Sequence, residues 1–253
     1  MIVCKSPAEL EKMRAANQLV AQVLEELAAM VAPGVTTADL DAAAEARVRA
    51  AGAEPAFKGY RGYPATLCAS VNEQVVHGIP SATPLVQGDI VSLDMGVKLN
   101  GYYGDSAVTV PVGTVGEDVT KLLRVTQEAL DRGIAQVKVG GRISDIGHAI
   151  QAHVEANGFS VVREFVGHGI GASLHEEPQI ANYGEPGRGP RLAEGMTLAI
   201  EPMVNMGKAA VRVLADGWTA VTRDGSLSAH FEHTVAVTKD GPLVLTLRPV
   251  AAL

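Results

Sequence analysis

Residues 91–110, VSLDMGVKLNGYYGDSAVTV, constrain the fold of this 253-residue chain more than any other stretch. Asn100-Gly101 supplies the two positive-φ residues of a type I′ turn, and apolar and β-branched residues flank it on both sides. The segment therefore reads as a β-hairpin. With Leu99 paired to Tyr102, Asp94 falls opposite Ala107, and Asp105 lies two residues along that strand on the same face. Diagonal neighbours on one face sit about 7–8 Å apart at Cα and closer at their side chains. Two carboxylates thus point the same way from apolar strands, where an uncompensated charge is costly. Two readings stay open at this point. Either a cation sits between them, or one Asp faces solvent or caps a turn.

A chain that is 47% hydrophobic and this long can bury a large core, in one large domain or two halves. No apolar run reaches the roughly 18 residues of a membrane span. The N-terminus MIVCKSPAEL lacks a signal-peptide pattern, and two cysteines, Cys4 and Cys68, make no disulfide framework. A cytoplasmic location is expected. The net charge of −7, with no long basic run, weighs against a nucleic-acid surface. Acidic residues gathered in one cleft would suit a metal or a free α-amine.

Ser6-Pro7-Ala8-Glu9 is a helix start, with Ser6 as N-cap, Pro7 in the first turn and Glu9 closing a capping box. That helix runs on Leu10, Met13, Leu19, Val20, Val23, Leu24 and Leu27 to Pro33-Gly34. A second helix runs from Thr36 to Gly52. Tyr60 to Pro64 is a loop, and Leu67 to Val76 is one or two short strands leading to His77. After the hairpin, helices are expected from Gly116 to about Lys138 and from about Arg142 to Asn157. A β-rich half follows: Met196 to Glu201 stopped by Pro202, then Lys208 to Leu214, Trp218 to Arg223 and His230 to Thr238. Asp216-Gly217 and Asp224-Gly225 read as hairpin turns.

The order of elements repeats at an offset of 106. Gly34 echoes Gly140, Asp39 echoes Asp145, Leu40 echoes Ile146, Val48 echoes Val154 and Gly52 echoes Gly158. Asp94, displaced by 107, lands on Glu201. One domain over 1–253 is expected, built of two related α+β halves, about 6–110 and 116–238. A site between them would draw residues from both.

Three further residues join the hairpin pair. His168 stands in Gly167-His168-Gly169-Ile170-Gly171, where glycines allow close backbone approach. Glu201 ends an apolar strand, and Glu232 lies between Phe231 and His233 just before another. Four carboxylates and one imidazole suit hard or borderline divalent ions better than a structural zinc. Four carboxylates neutralise two dications, and a metal pair activates water for hydrolysis.

In that order, Asp94, Asp105, His168, Glu201 and Glu232 resemble the ligand set of the type I, bacterial-type methionine aminopeptidases of the M24 family. The blocks FVGHGIGASLHEEPQIANY (165–183), SVNEQVVHGIP (70–80), DGW (216–218) and SAHFEHT (228–234) match that family's motifs in order, across essentially the whole chain. The resemblance implies an α+β pita-bread (creatinase/aminopeptidase) fold. It consists of two pseudo-symmetric halves with an antiparallel sheet core and outer helices. It also implies a hydrolase that uses two divalent ions (Co, Mn, Fe(II) or Zn) to remove the initiator methionine when the second residue is small. In it a bridging hydroxide attacks the scissile carbonyl.

By the same resemblance Asp94 chelates one ion, Asp105 and Glu232 bridge, and His168 and Glu201 hold the other. Glu201 also accepts the proton of the attacking water, His77 contacts the scissile amide, and His175 binds the substrate carbonyl. Phe57, Tyr60, Tyr63, Cys68, Leu174 and Trp218 line the methionine pocket. Two positions depart from the family: Leu174 stands where an aromatic is usual, and His230 where a glutamine is. The implied partners are N-terminal-Met peptides and nascent chains, with contact at the ribosome. No membrane and no sequence-specific nucleic acid are expected, and the chain is expected to be a monomer. The competing readings are a proline-specific aminopeptidase or prolidase relative, and a non-catalytic binding protein of the same fold. The first usually carries an extra N-terminal domain, which a helix cap at Ser6 leaves no place for. The second requires lost ligands, and all five are present.

Overall fold

A computed structural model describes residues 1–247; residues 248–253 of the expected domain lie outside the described residues. The helices are α1 (Pro7–Met30), α2 (Thr37–Ala50), α3 (Glu117–Ile134) and α4 (Ile143–Ala156). The first-half strands are β1 (Glu54–Pro55), β2 (Leu67–Val71), β3 (Gln74–Val76), β4 (Ile90–Leu99) and β5 (Tyr102–Pro111). The second half holds β6 (Ser160–Val161), β7 (Gly167–Gly169), β8 (Glu176–Ile180), β9 (Thr197–Ile200) and β10 (Met203–Asn205). It continues with β11 (Val211–Val213), β12 (Ala220–Thr222), β13 (Ser228–His230), β14 (His233–Thr238) and β15 (Gly241–Val244).

The β4–β5 hairpin has the expected register, Leu99 opposite Tyr102 and Asp94 opposite Ala107, around Asn100 (φ 53°) and Gly101 (φ 83°). One face of it carries Asp94 and Asp105. The other packs on α1, at Gly104, where an added Cβ would lie 2.8 Å from the backbone of Ala16 and Asn17. α1 starts as its sequence dictates, with the Ser6–Glu9 capping box formed and Pro7 in the first turn. Its Met13, Val20, Val23, Leu24 and Leu27 are buried.

The two halves repeat one another in hydrogen bonds as well as in sequence. The N–H of Gly34 donates to Leu85 O and that of Gly140 to Leu192 O, both at 2.8 Å. Leu85 N returns a bond to Val35 O, and Leu192 N returns one to Gly141 O, again both at 2.8 Å. Asp39 caps α2 through Thr36 N, and Asp145 caps α4 through Arg142 N. Leu40 with Val48 and Ile146 with Val154 are fully buried in separate cores, one under α1 and α2 and one under α3 and α4. This is the expected pita-bread arrangement of pseudo-symmetric halves.

The seam between them is polar and closely bonded. Ala107 bridges Glu232, whose N–H donates to Ala107 O at 3.0 Å. Ser106 Oγ donates to Glu232 O at 2.6 Å, Thr234 Oγ1 to Asp105 O at 2.8 Å and Thr109 Oγ1 to His230 O at 2.8 Å.

Four details differ from the sequence reading. The third helix ends at Ile134 rather than near Lys138, because the chain turns there to bury Val137 in the core. The strand expected over His230–Thr238 is two strands: β13 pairs with β10 and β14 with β9, and Phe231-Glu232 makes the change of sheet. For the same reason Asp224-Gly225 is not a hairpin turn between paired strands, since β12 pairs with β11 and β3. The strands expected at Lys208–Leu214 and Trp218–Arg223 shorten to β11 and β12. Asp216 takes their ends into an Asx turn, accepting from Trp218 N and Thr219 N.

Candidate active site

A cavity of about 170 Å³ opens between the halves, and every site residue named from the sequence lines it. Asp94 and Asp105 come from the hairpin, His168 from β7, Glu201 from the end of β9 and Glu232 from the seam. Glu201 leaves its strand because Pro202 follows and cannot donate to a ladder. Gly167 and Gly169 let β7 pass between its neighbours, since a Cβ on either would run into a carbonyl of β9 or β8. That close approach buries the His168 ring, against the alternative of an exposed histidine in a loose turn.

The deep end is acidic and short of partners. Asp94 Oδ1, Asp105 Oδ1 and Glu232 Oε1 are buried without a hydrogen bond among the described residues. Burial first, and then the charges of the other carboxylates, hold Asp105, Glu201 and Glu232 well above the usual carboxylate range. Burial alone pushes Asp94 up to about 7. Such groups are expensive to ionise unless a cation compensates them.

His168 completes the set. Its Nδ1 faces Gly169 O at 2.9 Å, and a carbonyl only accepts, so Nδ1 carries the proton and Nε2 presents its lone pair. Nε2 lies 3.6 Å from Glu201 Oε1 and 3.9 Å from Asp105 Oδ2, too far for hydrogen bonds. Donor atoms of Asp105, His168 and Glu232 all fall within 4.8 Å of one another. Burial, and then nearby His175, lower the His168 pKa to about 4, so the ring stays neutral as a ligand must. Orphaned oxygens, an unprotonated imidazole nitrogen and an excess of negative charge fit a divalent-metal centre.

The outer end is apolar and aromatic. Tyr63 is 3% exposed and edge-on to Trp218 at 5.1 Å. Its hydroxyl faces Leu67 O at 3.1 Å and Gly78 O at 2.9 Å, which locks the ring. Cys68 and Leu174 are buried, and Phe57 lies over Gly96, where an added Cβ would be 2.9 Å from its ring. The sulfur of Cys68 stays a thiol, because burial and then Asp94 raise its pKa well above the ordinary value.

Two histidines stand between the ends. His77 has φ 60°, and Gly78 beside it fits tightly against the Ala69 carbonyl, which fixes where the ring points. Burial, and then His175, lower its pKa to about 4. His175 Nδ1 is 2.9 Å from Tyr60 Oη and its ring stacks on Tyr60 at 5.2 Å. The contact occupies Nδ1 and leaves Nε2 as the ring nitrogen available to substrate.

Several supporting residues were not found by sequence reasoning. Arg61 lines the cavity beside Tyr60, with φ 50° in the 60–62 turn. The Gly59 and Gly62 around it were the available signal. Asn17 Oδ1 accepts from Asp105 N at 3.3 Å, and Asn182 Nδ2 donates to Glu201 O at 3.1 Å. Both are distant in sequence from what they hold. His230, noted only as a departure, is 1% exposed, with neither ring nitrogen hydrogen-bonded among the described residues, and its Nε2 is 3.9 Å from Glu201 Oε2.

The model of metallopeptidase family M24 matches residues 11–239. The chain is 55% identical to methionine aminopeptidase 1 of Bacillus subtilis, over 97% of this chain and 99% of that one. Among solved structures it is similar to the methionine aminopeptidase of Thermotoga maritima, with a TM-score of 0.96 and 50% identity, over 97% of this chain and 99% of that one. It superposes equally well on that of Rickettsia prowazekii, with a TM-score of 0.96 and 44% identity, over 98% and 100% of the two chains.

Proposed function

The chain belongs to metallopeptidase family M24 and, within it, to the bacterial-type methionine aminopeptidases, and from that premise we infer how its cavity works. It is a metal-dependent exopeptidase that hydrolyses the N-terminal methionine from peptides and nascent proteins whose second residue is small. The observation that carries this reading is one cavity with two chemically opposite ends. Unpartnered carboxylates and His168 form the deep end, and a Tyr–Trp–Cys–Leu lining forms the outer one.

Asp94, Asp105, His168, Glu201 and Glu232 would hold the metal, and their four negative charges suit two dications. When bound, the metal supplies a Lewis acid for the scissile carbonyl and lowers the pKa of water. Glu201, raised in basicity by burial, takes the proton from the attacking water. His175, held at Nδ1 by Tyr60, turns Nε2 toward the substrate and, with that nitrogen protonated, donates to the carbonyl oxygen as negative charge develops there. His77, neutral at physiological pH, hydrogen-bonds the scissile amide. Phe57, Tyr60, Tyr63, Cys68, Leu174 and Trp218 enclose the methionine side chain, whose thioether packs well on aromatic edges. The acidic end attracts the free α-amine.

The proline-specific and non-catalytic readings are not favoured by these relatives. An initiator methionine exists where chains are made, so we place the reaction in the cytoplasm, on chains leaving the ribosome, with a monomeric enzyme.

Release of methionine from Met-Ala-Ser, by protein stripped with chelator and titrated with Mn, Co, Fe(II) and Zn, tests the reading. Turnover that needs both metal and a free N-terminal Met is expected, with Met-Leu-Ser cleaved far more slowly. Glu201→Gln should nearly abolish kcat. Cleavage of Ala-Pro in place of Met-Ala-Ser, or full activity of Glu201→Gln, would overturn it.

A further inference from the structure

The loop between β7 and β8 carries Leu174 and His175 into the cavity, and besides the bonds from Tyr103 N to Gly171 O and between His175 and Tyr60 it is held by a group outside the cavity. Glu176 closes the loop. One of its oxygens, Oε1, accepts from Ser173 N at 3.2 Å, inside the loop. The other, Oε2, is 2.5 Å from the Lys5 ammonium. The Lys5 side chain is 3% exposed and that of Glu176 12%, so the pair is withdrawn from water. Lys5 is itself anchored, with its N–H donating to Gly195 O at 2.7 Å and its ammonium to Val3 O at 3.1 Å. The pair passes over Gly171, the last glycine of the G-H-G-I-G segment. A Cβ there would lie 2.6 Å from Glu176 Oε1 and 2.8 Å from Lys5 Nζ. The glycine makes room for the ion pair.

A desolvated ion pair gives little net stability over an apolar pair of the same volume, but its geometry is strict. We propose that Lys5 is a positioning residue for substrate: through Glu176 it fixes the 171–176 loop, and with it the places at which Leu174 and His175 meet the methionine side chain and the carbonyl oxygen. The roles of Leu174 and His175 rest on the proposed function; the fixing of the loop does not. Catalytic groups displaced by about 1 Å lose about 100-fold in rate. Lys5→Met is therefore expected to lower kcat/KM by roughly 10- to 100-fold.

Lys5→Met, Gly171→Ala and the double variant Lys5→Met/Glu176→Leu are compared in the full-length metal-loaded protein. Three quantities are read: kcat and KM on Met-Ala-Ser, Co(II) affinity by calorimetry, and hydrogen exchange of the 171–175 amides. The double variant guards against a misfolded single mutant, because it leaves no buried charge unpaired. The expected result is faster exchange of these amides in all three variants, with kcat/KM reduced and Co(II) affinity within about twofold of wild type. Wild-type exchange and wild-type kcat/KM in the double variant would overturn the proposal and leave the pair a packing feature. Should wild-type protein fail to cleave Met-Ala-Ser, the proposed function fails. The exchange measurement alone then decides whether Lys5 holds the loop.

Discussion

Asp94→Asn should stabilise the metal-free protein while weakening its response to metal. The Asp94 carboxyl, ordinarily near 3.8, is pushed up to about 7 by burial. At about 1.4 kcal/mol per pH unit, its ionised form costs the folded state about 4 kcal/mol. The folded pKa is the higher one, so the contribution is favourable below pH 3.8 and is lost as pH rises toward 7. An asparagine never ionises and leaves a neutral amide in the place of the neutral acid. The variant should therefore exceed wild type by about 2 kcal/mol at pH 5 and about 4 kcal/mol at pH 8. Buried His77, His168 and His230, with pKa values lowered to about 4, 4 and 3, push the other way below pH 6.5. They are common to both proteins and cancel in the difference. The assay is urea unfolding in chelator at the two pH values, repeated with saturating Mn. With Mn the gap should narrow or reverse, because wild type gains the binding free energy of a five-residue site and the variant only that of the four residues left to it. A metal-free variant no more stable than wild type at pH 8, or a gap that ignores pH, would refute the reasoning.

Gly104→Ala should cost about 1–3 kcal/mol or more, since its Cβ would meet the helix backbone at Ala16 and Asn17 rather than a side chain that can move. A melting temperature within a degree of wild type would contradict it. Arg61→Ala should raise the pKa of His175, because burial and then the Arg61 charge lower it. An NMR titration of the metal-free protein reads this directly, and an unmoved His175 would remove Arg61 from the site's electrostatics.

The parts of this architecture that were legible in the sequence are those fixed by short-range chemistry. Asn100-Gly101 set one turn and thereby the register of ten paired positions, which placed Asp94 and Asp105 on one face. Ser6-Pro7-Glu9 set a helix start, and the 106-residue echo of Gly34 in Gly140 is matched in the fold by equivalent bonds, Gly34 N to Leu85 O and Gly140 N to Leu192 O. What escaped was set by distant partners. Phe231-Glu232 carries no Gly or Pro to mark a break, and only the pairing of Glu232 with Ala107 shows why the strand is interrupted there. Asn17 and Asn182 sit in unremarkable surroundings along the chain, and only folding brings them to Asp105 and Glu201. Leu174, which stands where the family usually has an aromatic, is 2% exposed and lines the cavity with Phe57.

The bonded seam of β5 against residues 230–234 also bears on how the molecule comes into being. Asp94 and Asp105 are made early in the chain, and the residues facing them are made late. Until Glu232 docks on Ala107, the hairpin holds two carboxylates and neither half offers a complete set of donors. On the proposed ligand set, a nascent or half-folded chain would have no competent metal centre, and peptide-bond cleavage would wait for assembly of the whole. The same junction makes metal a reporter of folding: ions should bind in step with closure of the seam, and chelation should loosen it first.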